Sequence, residues 1–382
     1  MRVTEQQILD ELRKVKDPDL HQDIVSLGFV KEHRVEGGAV KVRINLTTPA
    51  CPVKDLMKKE AEDLLRAIPG VSTVEVEMTA EVTAQAGPPR KLAEGVRHIV
   101  AVSSGKGGVG KSTVSVNLAV ALAATGARVG LLDCDVYGPD IPMMMGLAGS
   151  PEQVGRKLVP KERFGVKTMS IGYLLDDERP VVWRGPMVHK LIEQFLGDVD
   201  WGQLDYLLVD MPPGTGDAQL SLAQIVPLTG AVLVTTPQAV ATFDVAKAVA
   251  MFKQVNVEIL GIVENMAGYA IEGQVEGAGA GTRVNLDTGS QKVALTTDEH
   301  GRFRTVVNLF GAGGAELLAK KHGFPVLGRI PLNPGVRVGG DAGDPITVAE
   351  PTSALAATFA EIAGRTAQRV AIKSFQALPI LQ

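Results

Sequence analysis

Gly105-Lys106-Gly107-Gly108-Val109-Gly110-Lys111-Ser112-Thr113 follows the apolar run HIVAVSS (98–104) and leads into STVSVNLAVALAATG (112–126). Residues 105–112 satisfy G-x-x-x-x-G-K-[ST], and a strand-like run before it with a helix-like run after it is the context that this motif requires. Its glycines let successive backbone N–H groups turn toward phosphate oxygens, and the helix that follows aims its positive end at the same place. All nine residues, Gly105 to Thr113, are therefore nucleotide-binding candidates. Lys111 is expected to reach the β and γ phosphates, and Ser112 to offer its hydroxyl to Mg2+. Lys106 is a second lysine inside the loop, long enough to reach a phosphate of its own site or of a neighbouring subunit's site.

Downstream, short apolar runs alternate with helical stretches: RVGLLD (128–133), DYLLVD (205–210), GAVLVTT (230–236), VEILGIVEN (257–265) and PVLGRIP (325–331). Continuous apolar strands separated by helices predict a mostly parallel sheet covered on both faces, an α/β fold. The strand ends carry acids. LLDCD places Asp133 and Asp135 two residues apart, so Asp135 is expected to orient an attacking water and Asp133 to support the magnesium shell. Asp210 ends the next strand in the place of a Walker-B aspartate, before a Gly/Pro-rich loop suited to sensing the γ-phosphate. Asp133 and Asp217 read equally well as helix caps.

Upstream, Thr4 with Gln7 forms a capping-box pattern before Ile8, Leu9, Leu12 and Val15 at helical spacing. AVKVRINLT (39–47) and STVEVEMTAEV (72–82) alternate, with a helical stretch between them, which predicts a small α+β domain over 1–83. Residues 84–96 read as an extended linker and 97–365 as the α/β domain. A Gly-rich, then alternating segment, 273–307, is expected to be a β-rich insertion, and 366–382 a C-terminal tail into which a terminal helix frays.

The 382 residues exceed a typical domain of about 150, as two domains require. Lys plus Arg number 39 against 43 Asp plus Glu, a net charge of −4, so no global positive field draws the chain onto nucleic acid or anionic lipid. With 45% hydrophobic and 21% charged residues it is globular, yet no apolar run reaches the roughly 18 residues needed to cross a bilayer. The first twenty residues lack the apolar core of a secretory signal, so a cytoplasmic location is expected. Cys51 and Cys134 are the only cysteines, which excludes a disulfide framework and a self-contained four-cysteine metal site. The histidines, at 21, 33, 98, 189, 300 and 322, show no close metal-ligand spacing.

GKGGVGKST, with its early lysine, resembles the deviant Walker A of the SIMIBI class of P-loop NTPases, which includes MinD, ParA and the arsenite-pump ATPases. Within that class, residues 131–146, 205–222, 230–252 and 260–269 are similar to the Mrp/ApbC-type ATPases, iron–sulfur cluster carriers related to eukaryotic cytosolic Fe–S scaffold proteins. The likeness runs from Arg97 to Gly343 apart from the insertion. DPDLHQDIVSLGFV (17–30) and TTPACPVKD (47–55) resemble the small Fe–S assembly (MIP-type) domain that precedes many Mrp proteins. The resemblance implies Mg-dependent ATP hydrolysis, a homodimer with facing nucleotide sites, Lys106 reaching the partner's nucleotide, Asp135 positioning water, and Asn265 recognising adenine. It also implies recipient apoproteins or assembly factors as partners. Asn265 reads as well as a turn residue at a strand end.

The departure from the family pattern is in the cysteines. Mrp-type carriers usually bear a CPxC-like pair shortly after the ENM motif, and two pairs bridge one 4Fe–4S cluster across the dimer. Residues 267–310 hold no cysteine, and hydroxyls or carboxylates are poor substitutes for thiolates on iron. Cys51 matches a cysteine found in that front domain elsewhere and is the candidate cluster ligand, its other reading being a small apolar residue before a helix. Cys134 reads as packing. Three functions follow: an ATP-hydrolysing Fe–S carrier, a nucleotide-gated interaction ATPase without a cluster, and a ParA-like ATPase on a DNA track, which the net charge of −4 disfavours.

Overall fold

The computed structural model describes residues 3–18, 20–51, 53–81, 92–174, 185–289 and 291–376. Thr4 starts α1 (Glu5–Leu12) with the box read from the sequence: its hydroxyl accepts from the Gln7 N–H and its own N–H donates to the Gln7 side chain. Ile8 and Leu12, one turn apart, face inward with β1 (Val30–Glu36), β2 (Ala39–Leu46), α2 (Lys54–Arg66) and β3 (Thr73–Ala80). The three strands run in the order β1-β2-β3, the first pair antiparallel and the second parallel. Val40, Val42, Ile44 and Leu46 alternate onto the α2 side chains Met57, Ala61 and Leu65, which closes this small core.

The larger sheet begins with β4 (Val96–Ser104), α3 (Lys111–Ala124), β5 (Val129–Asp133) and α4 (Ile141–Met144). A short hairpin, β6 (Gln153–Val154) with β7 (Lys157–Leu158), precedes β8 (Lys161–Arg163) and β9 (Val166–Ser170). Then come α5 (Gly185–Gly197), β10 (Leu204–Asp210), α6 (Asp217–Ile225), β11 (Gly230–Thr235), α7 (Ala239–Gln254) and β12 (Ile259–Gln274). After the insertion strands β13 (Arg283–Asp287), β14 (Lys292–Thr296) and β15 (Arg302–Val307), the chain ends in α8 (Gly314–His322), β16 (Val326–Leu332), α9 (Pro334–Ala342), α10 (Ile346–Ala349) and α11 (Ala354–Gln376).

Strand order is β15-β12-β11-β4-β10-β5-β9-β8, with β16 also on β12. The pairs from β12 through β9 and the β12–β16 pair are parallel; β15 and β8 join antiparallel at the edges. β4 shows why its sequence is apolar throughout. Ile99 and Ala101 point to one core with Phe195, Trp201 and Phe252, while Val100 and Val102 point to another with Leu118, Leu122 and Phe359. The sheet is doubly wound, and its strand ends at Ser104, Asp133 and Asp210 gather beside the loop 105–110.

Two expected boundaries shift. Residues 82–91 lie outside the described residues, but Val96, expected in the linker, is the first residue of β4, and Ala93 is buried with its N–H on the Leu196 carbonyl. The expected tail from 366 lies within α11 as far as Gln376; 377–382 lie outside the described residues. Thr366, Ala367, Val370 and Ser374 are buried there, while Arg369 and Lys373 reach Glu258 at 3.3 and 3.6 Å. In the insertion, β13 and β14 form a hairpin, and β15 returns to pair with the far end of β12, Tyr269 to Gln274. The front domain is seated on the sheet: Ala50 joins the core of Leu118 and Phe359, and Thr48 shares a buried 3.0 Å hydrogen bond with the Tyr206 hydroxyl on β10.

Candidate functional site

The loop 105–110 is shaped by what it touches. A Cβ on Gly105 would lie 2.2 to 2.5 Å from the Asp244 and Val245 backbone, so only glycine lets the loop close on α7. Gly110 has φ +81°, and a Cβ there would lie 2.2 Å from the Asn265 amide nitrogen. Gly107 and Gly108 are exposed, and no atom comes within 4 Å of a Cβ built on Gly108. That open, amide-lined face ahead of α3 suits a phosphate chain. Val109 is buried beneath it, Lys106 is half-buried with its carbonyl accepting from the Ser104 hydroxyl, and Thr113 gives its carbonyl to the Asn117 amide.

Behind the loop, Asp210 gathers the motif's polar groups. Its Oδ2 accepts from Lys111 Nζ at 2.6 Å and from Ser112 Oγ at 2.7 Å; its Oδ1 accepts from Ser115 Oγ at 2.5 Å. Lys111 and Asp210 are both buried, so the ion pair is nearly dry and each charge depends on the other. A hydroxyl and a carboxylate oxygen side by side are hard oxygen donors suited to Mg2+, and Lys111 is a cation placed for phosphate.

Asp133 lies in register with Asp210 on the neighbouring strand. Both its oxygens are engaged by protein donors, Oδ1 by the Asp135 N–H at 3.0 Å and Oδ2 by the Ser170 hydroxyl at 2.8 Å, so it is a strut under the Asp135 loop. Burial, then the charge of Asp210, pushes its carboxyl well above the usual range. Asp135 accepts from the Gly138 N–H at 3.3 Å; burial raises its pKa, against the pull of Lys111. Cys134 between them is buried, its thiol pushed well up by burial and by Asp133.

Asn265 is tied to the phosphate loop. Its Nδ2 donates to the Val109 carbonyl at 2.8 Å, which clamps the loop from β12. Beside it, the buried Glu264 accepts from the Ala315 N–H and pairs with Arg329 at 3.3 Å, which fixes that end of β12 to α8. Replacing Asn265 with alanine is expected to weaken ATP and GTP binding equally, by about fivefold, the worth of one neutral hydrogen bond. Calorimetry with both nucleotides checks this; a loss confined to ATP would restore the adenine reading.

The structure thus brings together Lys111, Ser112, Asp133, Asp135, Asp210 and Asn265. It does not bring Cys51 to them: Cys51 lines a cavity between the front domain and α11, with Asp17, Thr48, Gln368 and Ile372. Among the described residues no three His, Cys, Asp or Glu side chains group as a metal site, and no helix is long and apolar enough to cross a membrane. Two partners escaped the sequence reading. Ser115 stands four residues after Lys111, a spacing that places both on one helix face; Ser170 is 37 residues from Asp133 and met only through the β5–β9 pairing.

Comparison with known proteins adds the lineage. A model of the family described as NUBPL iron-transfer P-loop NTPase matches residues 95–289 and 295–367. A second model, described as iron–sulfur cluster assembly protein, matches residues 5–78. An iron–sulfur cluster carrier protein of Synechocystis is 45% identical over 376 residues, 97% of this chain and 99% of its own. One of Deinococcus radiodurans is 44% identical over 374 residues, 97% of each chain. Among solved structures, a nucleotide-binding protein from Archaeoglobus fulgidus in complex with ADP is 37% identical, with a TM-score of 0.53 over 69% of this chain and 92% of that one.

Proposed function

The chain belongs to the family of NUBPL iron-transfer P-loop NTPases, and we propose that it is an ATP-binding and ATP-hydrolysing carrier that delivers iron–sulfur clusters to apoproteins. The observation that carries the nucleotide half is the convergence of Lys111, Ser112 and Asp210 behind an open glycine loop. With ATP bound, Lys111 would exchange Asp210 for phosphate oxygens, and Ser112 and Asp210 would be the residues to hold Mg2+. The metal, when bound, neutralises charge on the phosphates. Asp135 orients the water, and the loops after Asp135 and Asp210 adopt a nucleotide-dependent shape. A homodimer with facing sites gives Lys106 the partner's nucleotide to reach. A cytoplasmic location belongs to the same proposal.

The cluster is cargo, and its ligands are the less ordinary part. Cys134 is buried with a thiol far from its thiolate form, so Cys51 is the candidate ligand. Two Cys51 thiolates in a dimer fall short of the four that a 4Fe–4S cluster takes, so the recipient or another donor completes the set. The same shortage favours, as a second reading, a nucleotide-gated interaction ATPase without a cluster. Anaerobic reconstitution with iron and sulfide, followed by iron counting, separates them. The carrier reading expects stoichiometric iron per dimer that is lost in Cys51→Ser; absence of iron from both proteins would leave the interaction ATPase.

A further inference from the structure

We propose that Ser115 is a positioning residue for magnesium: it fixes the Asp210 carboxylate in one orientation, so that Oδ2 stays aimed at Ser112 and the metal once nucleotide has taken Lys111 away. The proposal rests on the nucleotide reading above and adds a residue that the phosphate-loop motif does not contain.

Its ground is how the donors on Asp210 divide. Oδ2 holds the two groups that a nucleotide recruits, the Lys111 ammonium and the Ser112 hydroxyl, whereas Oδ1 holds Ser115 at 2.5 Å. Ser115 sits one turn further into α3 and is fully buried, so it lies behind the loop and off the phosphate path. It is thus the donor that remains. Its single hydroxyl proton has two acceptors within reach, Asp210 Oδ1 at 2.5 Å and the Lys111 carbonyl at 3.1 Å. The shorter contact is to a carboxylate, and a charge-assisted bond takes the proton.

Without this bond the carboxylate is loosely set, because the terminal torsion of an aspartate is broad and roughly two-fold rather than staggered. Asp133, in register on β5, has its two oxygens turned to the Asp135 N–H and the Ser170 hydroxyl. An Asp210 free to turn presents its oxygens to Ser112 and metal in a fraction of its orientations. The cost appears where the metal matters and not in the grip of the loop on phosphate.

The test compares full-length wild type, Ser115→Ala and Ser115→Thr, which keeps the hydroxyl. ADP and a slowly hydrolysed ATP analogue are titrated calorimetrically in EDTA and across a Mg2+ series, with kcat and KM measured alongside. In Ser115→Ala, metal-free affinity is expected to stay within about twofold, while the Mg2+ concentration for half-maximal tightening rises about tenfold, as loss of a hydrogen bond to a charged group implies. kcat should fall more than KM changes, and Ser115→Thr should recover most of the Mg2+ response. An unchanged Mg2+ series in Ser115→Ala overturns the proposal, as does equal impairment of the two variants or a loss confined to thermal stability. A wild type that binds no nucleotide overturns the underlying reading first, so the two failures are told apart.

Discussion

Lys111→Ala is expected to abolish nucleotide binding at concentrations that saturate the wild type. The ammonium is a cation set behind the loop, 2.6 Å from Asp210 and buried. It is thus already desolvated and has only to change acceptor when a triphosphate arrives. Hydrogen bonds to charged groups contribute about 1.5–3 kcal/mol each, and an ammonium that meets two phosphates makes at least two. An affinity loss of about 100-fold or more follows. The nucleotide-free protein should also melt earlier, since removing one partner of a buried ion pair costs about 3–5 kcal/mol, reduced here because Ser112 and Ser115 still donate to Asp210. Calorimetry and thermal melts measure the two effects separately. Affinity within about threefold of wild type would contradict the role given to Lys111.

Asp135→Ala is expected to do the reverse: keep ATP and lose turnover. Asp135 lies on the loop after β5, held by the Gly138 N–H and by the Asp133 strut, and neither of these contacts belongs to closure of the loop on phosphate. If it orients the attacking water, its contribution belongs to the transition state, and single-turnover hydrolysis should fall about 100-fold or more while ATP affinity stays nearly constant. Its raised pKa adds a pH signature. The ionised carboxylate is the working form, so hydrolysis should decline as pH falls through a value above that of an ordinary aspartate, a decline absent from the residual rate of Asp135→Asn. Equal losses of binding and turnover would mean that Asp135 shapes the loop instead.

How much of this was legible in the chain depends on how local each cause is. The phosphate loop was, because its chemistry is a spacing of glycines, lysine and serine within nine residues. The parallel sheet was, because strands buried on both faces cannot alternate, and β10 reads LDYLLVD with every residue buried. The clamp from Asn265 was not legible, since nothing near that residue in sequence reveals that Val109 lies within hydrogen-bonding distance. The strut role of Asp133 was hidden because its partner, Ser170, arrives from another strand. The terminal helix was legible and runs as far as Gln376: Ala367, Val370 and Ser374 keep helical spacing while Arg365, Arg369 and Lys373 interleave, their charges taken up by Glu361 and Glu258. Ser115 was legible in principle, four residues beyond Lys111, and only the habit of ending the motif at Ser112 hid it.

The account stands on the claim that the loop from Gly105 to Thr113 closes on a triphosphate. Isothermal titration of the purified full-length protein with ATP, with and without Mg2+, measures that contact without relying on turnover or cargo. Saturable binding of one nucleotide per chain, tightened by Mg2+, is the predicted result. No heat at millimolar ATP, in protein shown to be folded, would contradict it.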